Sequence, residues 1–246
     1  MELGLEGRVC LVTGGTRGIG AAAARLLAAE GARALTVARG DADIQLDVTA
    51  ADAGDRLLAA CPAPPWALVN NAGTSRARTL EELTDADWNE QWELHVMAPM
   101  RVMSVIAPAM AAEGGGRIVN VTSSSGRRPS QTLDAAYSVT KAAQLSLSRV
   151  FAERWASEGV LVNAVVPGPA ETPLWTAEGG LADQVASRTG KSREEVLAST
   201  HAKSLIGRMG REEEIAAAVV FLCSEQASNV VGAAWSVDGG STPGIF

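Results

Sequence analysis

Val9-Cys10-Leu11-Val12-Thr13-Gly14-Gly15-Thr16-Arg17-Gly18-Ile19-Gly20 is followed by the alanine-rich stretch from Ala21 to Glu30. The apolar run Val9 to Val12 ends in a glycine cluster, and the stretch after it reads as a helix. Ile19, Ala23, Leu26 and Leu27 fall near one face, and Gly31 is its stop. Glycines at a strand-to-helix junction allow a tight turn and let backbone amides approach a pyrophosphate, to which the helix start adds partial positive charge. Gly14, Thr16, Arg17, Gly18, Ile19 and Gly20 are therefore the candidate contacts of a dinucleotide. The spacing is G-x-x-x-G-x-G, not the commoner G-x-G-x-x-G.

Outward from this stretch, further short apolar runs alternate with helical ones. Strands are predicted at Ala34 to Val37, Ile44 to Leu46, Ala67 to Val69, Arg117 to Val121, Val160 to Val166 and Ala233 to Val237. Thr84 with Asp87 three residues later opens a long helical stretch reaching about Ala112, which Pro99 and Pro108 should bend or break. A second long helix covers roughly Leu133 to Ser157, and a last one Arg211 to Leu222. Residues 174–209 are polar and broken by glycines, an excursion with one or two helices. Alternation of this kind predicts an α/β fold: one doubly wound parallel sheet of about seven strands, helices on both faces, over a single domain 1–246.

Composition narrows the function classes. The 246 residues carry a net charge of −7, which opposes binding to nucleic-acid phosphates; Arg127-Arg128 is the one basic pair and reads as a solvated loop. Cys10, Cys61 and Cys223 fit neither a disulfide framework nor metal-ligand spacing, and His95 and His201 lie too far apart for a histidine metal site. The amino end, MELGLEGRVCLVTGG, has no charged-then-apolar leader, and no window holds eighteen uninterrupted apolar residues. A cytoplasmic protein with no membrane partner is expected.

Tyr137, the single tyrosine, and Lys141, one of three lysines, lie four apart on a predicted helix and share a face. A cation beside a phenol favours phenolate, so this pair is expected to lower the phenol's pKa toward working pH and yield a general acid or base.

With its motifs taken together, the chain resembles the short-chain dehydrogenase/reductase family, nearest to the 3-oxoacyl-carrier-protein reductases. The resemblance rests on the glycine loop, Asp47-Val48, Asn70-Asn71-Ala72-Gly73, Tyr137-Ser138-Val139-Thr140-Lys141, Pro167-Gly168 with Thr172, and Val237-Asp238-Gly239-Gly240. It implies a Rossmann-type fold and hydride transfer between a nicotinamide and a ketone or secondary alcohol. It further implies that Lys141 and Tyr137 meet the nicotinamide ribose, that Asp47 and Val48 flank the adenine, and that Asn71, Ala72 and Gly73 line the adenosine side. Ala170 and Thr172 would meet the nicotinamide amide. One serine after the fifth strand would bond the substrate oxygen: aligning the strand with Gly126 selects Ser123, whereas counting back thirteen from Tyr137 selects Ser124. A homotetramer is implied in the same way.

Two departures from the family pattern stand out. Seven residues after Trp88 the family has an asparagine that holds a water; this chain has His95. That imidazole is either a core residue satisfied by backbone or a proton carrier, since imidazole titrates near neutrality. Between Arg39 and Ile44 only Gly40-Asp41-Ala42-Asp43 intervene, at most roughly 14 Å of extended chain, so the usual crossover helix is predicted to be absent and the third strand short. Where a carboxylate would accept both ribose hydroxyls, this chain has Arg39, joined by Arg17. Two guanidiniums suit a 2′-phosphate, which favours NADP(H) over NAD(H) unless Asp41 or Asp43 folds back.

The partner expected is a small carbonyl or alcohol. A carrier-bound 3-oxoacyl thioester leads, with Arg127 and Arg128 as the docking cations, and a free small or steroid-like alcohol is the alternative. A cofactor-binding sensor without turnover is the reading from another class. Leu174, Trp175, Leu181, Val185, Leu205 and Met209 either line a lid or simply pack.

Overall fold

Short buried apolar runs, each followed by enough chain to return over a face, pair side by side in one direction. In the computed structural model, which describes residues 2–130 and 133–243, seven strands form one sheet in the order β3-β2-β1-β4-β5-β6-β7. They are β1 Val9–Thr13, β2 Arg33–Ala38, β3 Ile44–Gln45, β4 Ala67–Asn70, β5 Gly116–Val121, β6 Val160–Pro167 and β7 Ala234–Val237, and every pairing is parallel. This is the expected Rossmann-type architecture.

Strand side chains alternate between two cores. Cys10, Val12 and Val119 meet α1 (Gly18–Ala29) through Ala23 and Leu27, and α9 (Glu212–Cys223) through Ile215, Val219 and Leu222. On the other face Leu11, Leu68, Ile118 and Val162 meet Leu57 of α2 (Ala53–Ala60), and Val102 and Ile106 of α4 (Ala98–Ala112). The sequence reading overlooked α2, which is short and has little apolar content beyond Leu57 and Leu58. Because the strands are parallel, the carboxyl ends of β1, β4, β5 and β6 share one edge, where α/β folds place their ligands.

The crossover from β2 to β3 contains no helix, as its length required. The Asp43 carboxylate accepts from the Thr36 amide (2.9 Å) and hydroxyl (2.6 Å), and Gln45 Nε2 donates to the Arg39 carbonyl (3.0 Å). This sheet edge is thinly covered: within β2 only Val37 is buried.

Thr84 caps α3 (Asp85–Trp92) reciprocally with Asp87, as its spacing indicated. The prolines do not break the stretch in the expected way. The interruption is a π turn at Glu93–Met97, and α4 restarts with Pro99 in its first turn, where a missing N–H costs no helical bond. Pro108 sits on the exposed side of α4 while Val102, Met103, Ile106 and Met110 anchor the other side, so packing keeps the helix continuous. The whole stretch Asp85–Ala112 is long and apolar enough to cross a membrane, but half of its most apolar window is buried in the fold.

The excursion holds three helices rather than one or two: α6 Pro173–Thr176, α7 Leu181–Thr189 and α8 Arg193–His201. Pro173 at the start of α6 and the Ser192–Glu195 capping box of α8 supply starts that its glycines obscured. Trp175, Leu181 and Met209 pack with Leu133 and Leu197, and Val185 packs with Ala77 and Val196. Leu174 and Leu205 remain exposed.

Candidate active site

The glycine loop is built from below. Thr13 Oγ1 donates to the Val69 carbonyl (3.3 Å) and accepts from the Asn71 and Ala72 amides (3.0 and 3.1 Å). The Asn71 side chain points into the loop, donating to the carbonyls of Thr13 (3.1 Å) and Gly14 (3.0 Å). It thereby shapes the loop. Gly14 has φ +63°, and a Cβ there would stand 2.9 Å from Ala72 Cα, so no other residue fits without displacing the chain.

Arg17, the residue that begins α1, makes no side-chain cap, and the first turn carries no acid. The opening N–H groups of an α-helix have no intrahelical partner, so this uncapped start is a cradle for an anion of several oxygens. Thr172 faces it, its Cβ 3.5 Å from where a side chain at Gly18 would begin. Thr16 and Arg17 are exposed beside it. The pyrophosphate of a dinucleotide fits this donor set.

At the carboxyl end of β5, Gly126 lies so close to α5 (Ala135–Trp155) that a Cβ on it would stand 2.7 Å from the Lys141 carbonyl carbon. Ser123 lies beside Tyr137, and its hydroxyl pulls the phenol's pKa down, against the effect of burial. Ser123 Oγ also accepts from the Ser125 amide (3.1 Å). Ser124 contributes its carbonyl instead, to the Arg127 and Arg128 amides (3.0 and 2.9 Å). Asp134, fully buried, caps α5 by accepting from the Ala136 and Tyr137 amides (2.8 and 3.3 Å), which fixes the turn bearing the phenol.

Lys141 is 3% exposed. Its ammonium donates to the Val121 carbonyl (3.0 Å) and to Gln144 Oε1 (2.9 Å) and lies 5.7 Å from the centre of the Tyr137 ring. Burial lowers its pKa to about 7. Burial also pushes the Tyr137 phenol up, against a smaller opposing pull from the Ser123 hydroxyl. The sequence led us to expect a lowered phenol. The outcome differs because the ammonium spends its donors on Val121 and Gln144, and desolvation outweighs the remaining attraction.

His95, fully buried on the π turn, accepts at Nε2 from the Thr74 amide (3.3 Å), so its proton resides on Nδ1 and is donated to Thr140 Oγ1 (3.1 Å). Thr140 in turn donates to the Tyr137 carbonyl (3.0 Å). Desolvation, with Lys141 adding to it, holds the imidazole well below its ordinary pKa, so it is neutral at pH 7. The ring packs edge-on against Tyr137 at 5.3 Å. With both nitrogens engaged and no charge to give, the geometry favours the core role over the carrier role. We expect His95→Asn to lower thermal stability by about 1–3 kcal/mol through lost bonds and packing. It should leave every limb of the pH–rate profile in place; a shifted limb would restore the proton-carrier role.

At the far end of the cleft, Arg39 and Arg17 are exposed and take part in no ion pair among the described residues. The Asp47 carboxylate accepts from the Thr49 amide (3.0 Å) and hydroxyl (2.8 Å), which holds it below the usual carboxylate range, with a small contribution from Arg39. Val48 is buried next to it, and Ala170 is buried and bridges to Gly210.

Sequence reading missed a polar chain beneath the site. Asn70 Nδ2 donates to Asn120 Oδ1 (2.8 Å) and Asn120 Nδ2 to Ser148 Oγ (2.7 Å), all buried. The available signal was an asparagine within each of two neighbouring apolar strands, at positions that prove to be in register. No group of His, Cys, Asp or Glu among the described residues is arranged to hold a metal.

The family model described as enoyl-(acyl carrier protein) reductase matches residues 14–242. A cis-4-hydroxycyclohexanecarboxylate dehydrogenase of Sinomonas cyclohexanicum is 38% identical, with 96% of each chain covered. A 3-oxoacyl-[acyl-carrier-protein] reductase of Vibrio cholerae is 32% identical over 97% of this chain and 98% of its own. The crystal structure of L-sorbose reductase from Gluconobacter frateurii, complexed with NADPH and L-sorbose, superposes with a TM-score of 0.90 at 32% identity and full coverage of both chains. With a parallel sheet that carries the glycine loop after β1 and the serine after β5 at one carboxyl edge, and with the tyrosine and lysine on α5, the chain belongs to the short-chain dehydrogenase/reductase family and is an oxidoreductase acting on alcohol or carbonyl groups.

Proposed function

We propose that the chain interconverts a free, small ketone and its secondary alcohol, using NADP(H). The observation that carries this is the meeting of Ser123, Tyr137 and Lys141 on the same sheet edge as the uncapped start of α1. Gly14, Thr16, Arg17, Gly18, Ile19 and Gly20 would hold the pyrophosphate, Asp47 and Val48 the adenine, Asn71, Ala72 and Gly73 the adenosine side, and Ala170 and Thr172 the nicotinamide end. The bound nicotinamide supplies or accepts the hydride. Tyr137 gives its proton to the carbonyl oxygen as the carbon gains hydride. Ser123 donates a hydrogen bond to that oxygen as its charge grows. Lys141, with its ammonium 5.7 Å from the centre of the phenol ring, adds positive charge that favours the phenolate left behind.

The expected carrier-bound substrate has less support. Arg127, one of the two docking cations, is committed to the Ser236 hydroxyl (2.6 Å) and the Ala234 carbonyl, leaving Arg128 alone in solvent. The excursion's apolar side chains are largely consumed by each other rather than offered to an acyl chain. The L-sorbose reductase likeness adds weight to a polyhydroxylated or similarly compact carbonyl. Exposed Val139 and Val150 on α5 and Trp235 on β7 support assembly of several copies.

The test is NADPH consumption, followed at 340 nm, against keto sugars, small cyclic ketones and 3-oxoacyl thioesters presented on pantetheine and on carrier protein. A higher kcat/KM for a free carbonyl is expected. Preference for the carrier-bound thioester overturns the substrate reading, and tight NADPH binding with no turnover across the panel favours a sensor.

A further inference from the structure

Gln144 is an anomaly on α5. It is 2% exposed, one turn beyond Lys141 and bordered by apolar side chains of the second core, where leucine would be cheaper to bury. Its one bond among the described residues is the acceptance at Oε1 from Lys141 Nζ, at 2.9 Å. It also lines, with Thr13, Asn70, Leu94 and Pro99, a cavity of about 10 Å³, the room one water needs. Gly73 leaves open the other side of the ammonium: a Cβ there would stand 3.7 Å from Nζ and 3.1 Å from His95 Nε2.

We infer that Gln144 is a positioning residue for Lys141. Its side-chain oxygen and the Val121 carbonyl engage two of the ammonium's three donors and leave the third for the open space beside Gly73. A carbonyl-type acceptor favours the protonated amine, so Gln144 opposes the desolvation that tends to discharge this buried lysine. The titratable groups facing Lys141 are Tyr137, on its own helix, and His95, from the π turn. Neither carries negative charge near neutrality, and no carboxylate contributes to the lysine's titration. This inference rests on the redox reading for its consequence, but not for its measurement.

Because the chain has three lysines, Lys141, Lys191 and Lys203, a ¹³C-lysine-labelled sample resolves the buried side chain by NMR, assigned with Lys141→Met. We expect Gln144→Met to lower the Lys141 midpoint by about one pH unit, and Gln144→Glu to raise it by at least about as much. The limb on which carbonyl reduction declines with pH should move in the same direction in each variant. Gln144→Glu keeps both size and an acceptor, so it supplies the readout even if the Met variant folds poorly. A Lys141 midpoint unmoved by Gln144→Glu overturns the inference, whether or not the enzyme turns over. Loss of all turnover in the wild type, with the midpoints still shifting, strikes the redox reading alone.

Discussion

Tyr137→Phe is expected to cut kcat/KM for carbonyl reduction by about 10²- to 10⁴-fold, the range general acid catalysis contributes. The substitution removes one oxygen and leaves the ring, so the edge-on contact with His95 at 5.3 Å survives. The Asp134 cap that holds this turn of α5 also remains, because it acts through backbone amides. The pull of the Ser123 hydroxyl on the phenol is lost with the oxygen. Dinucleotide affinity, read by nicotinamide fluorescence, should change little beside the loss of rate, since the pyrophosphate cradle lies on α1. Retention of wild-type turnover by the Phe variant would remove the phenol from the reaction. A parallel collapse of affinity and Tm would reassign it to structure.

The protonation states give this prediction a pH signature. Burial raises the phenol and lowers Lys141 to about 7. Below that pH the lysine is an ammonium and the phenol is protonated, the state needed to donate a proton to a carbonyl. As pH rises the ammonium is lost, and reduction should slow. Alcohol oxidation needs a phenolate, which burial disfavours and which loss of the ammonium disfavours further, so it should not rise while Lys141 discharges and should gain only where the phenol itself ionises, above the ordinary tyrosine range. Reduction should thus fall through the lysine's midpoint while oxidation rises only at higher pH, measurable with one substrate pair. Matching slopes would mean that some other group titrates.

What the sequence made legible was whatever depends on spacing. Thr13 to Gly20 between an apolar run and an alanine-rich helix located the strand-to-helix loop, and Tyr137 four residues before Lys141 located the phenol beside the ammonium. The span from Arg39 to Ile44 was too short for a helix, and none is there. What stayed hidden depends on where side chains turn after folding. That the Asn71 side chain braces Thr13 and Gly14 could not be read from its position in the motif. Gln144 carried no signal of its own within the helix expected over Leu133 to Ser157. The sign of the Tyr137 shift was misjudged because spacing reports proximity to a cation, while the competing cost of burial is a property of the whole core. The π turn escaped notice for a related reason. Pro99 marks where an α-helix is in difficulty, but whether the chain bends, breaks or widens is decided by the packing of His95 and Val96 beneath it.

Arg39→Ala is expected to lower kcat/KM for NADPH by about 10- to 100-fold while leaving NADH within about 3-fold, because a charge-assisted bond to phosphate contributes roughly 1.5–3 kcal/mol. The wild type should prefer NADPH. The competing influence at this end of the cleft is a carboxylate, which would accept ribose hydroxyls and repel a 2′-phosphate. Asp43 does fold back in the short crossover, but onto Thr36, whose amide and hydroxyl both donate to it at 2.9 and 2.6 Å. That bonding keeps it ionised and held to the middle of β2, whereas Arg39 follows the strand's end. Asp43→Ala should therefore loosen β3 and lower Tm without altering the preference. Arg17, at the head of α1, is placed to share the phosphate; its removal should act in the same direction, with less than additive loss in the double variant. Because the interaction is between exposed charges, the NADPH advantage should shrink as ionic strength rises, while NADH kinetics stay nearly flat. If the wild type instead favours NADH, and Asp43→Ala shifts it toward NADPH, then the carboxylate rather than the arginines governs the ribose end.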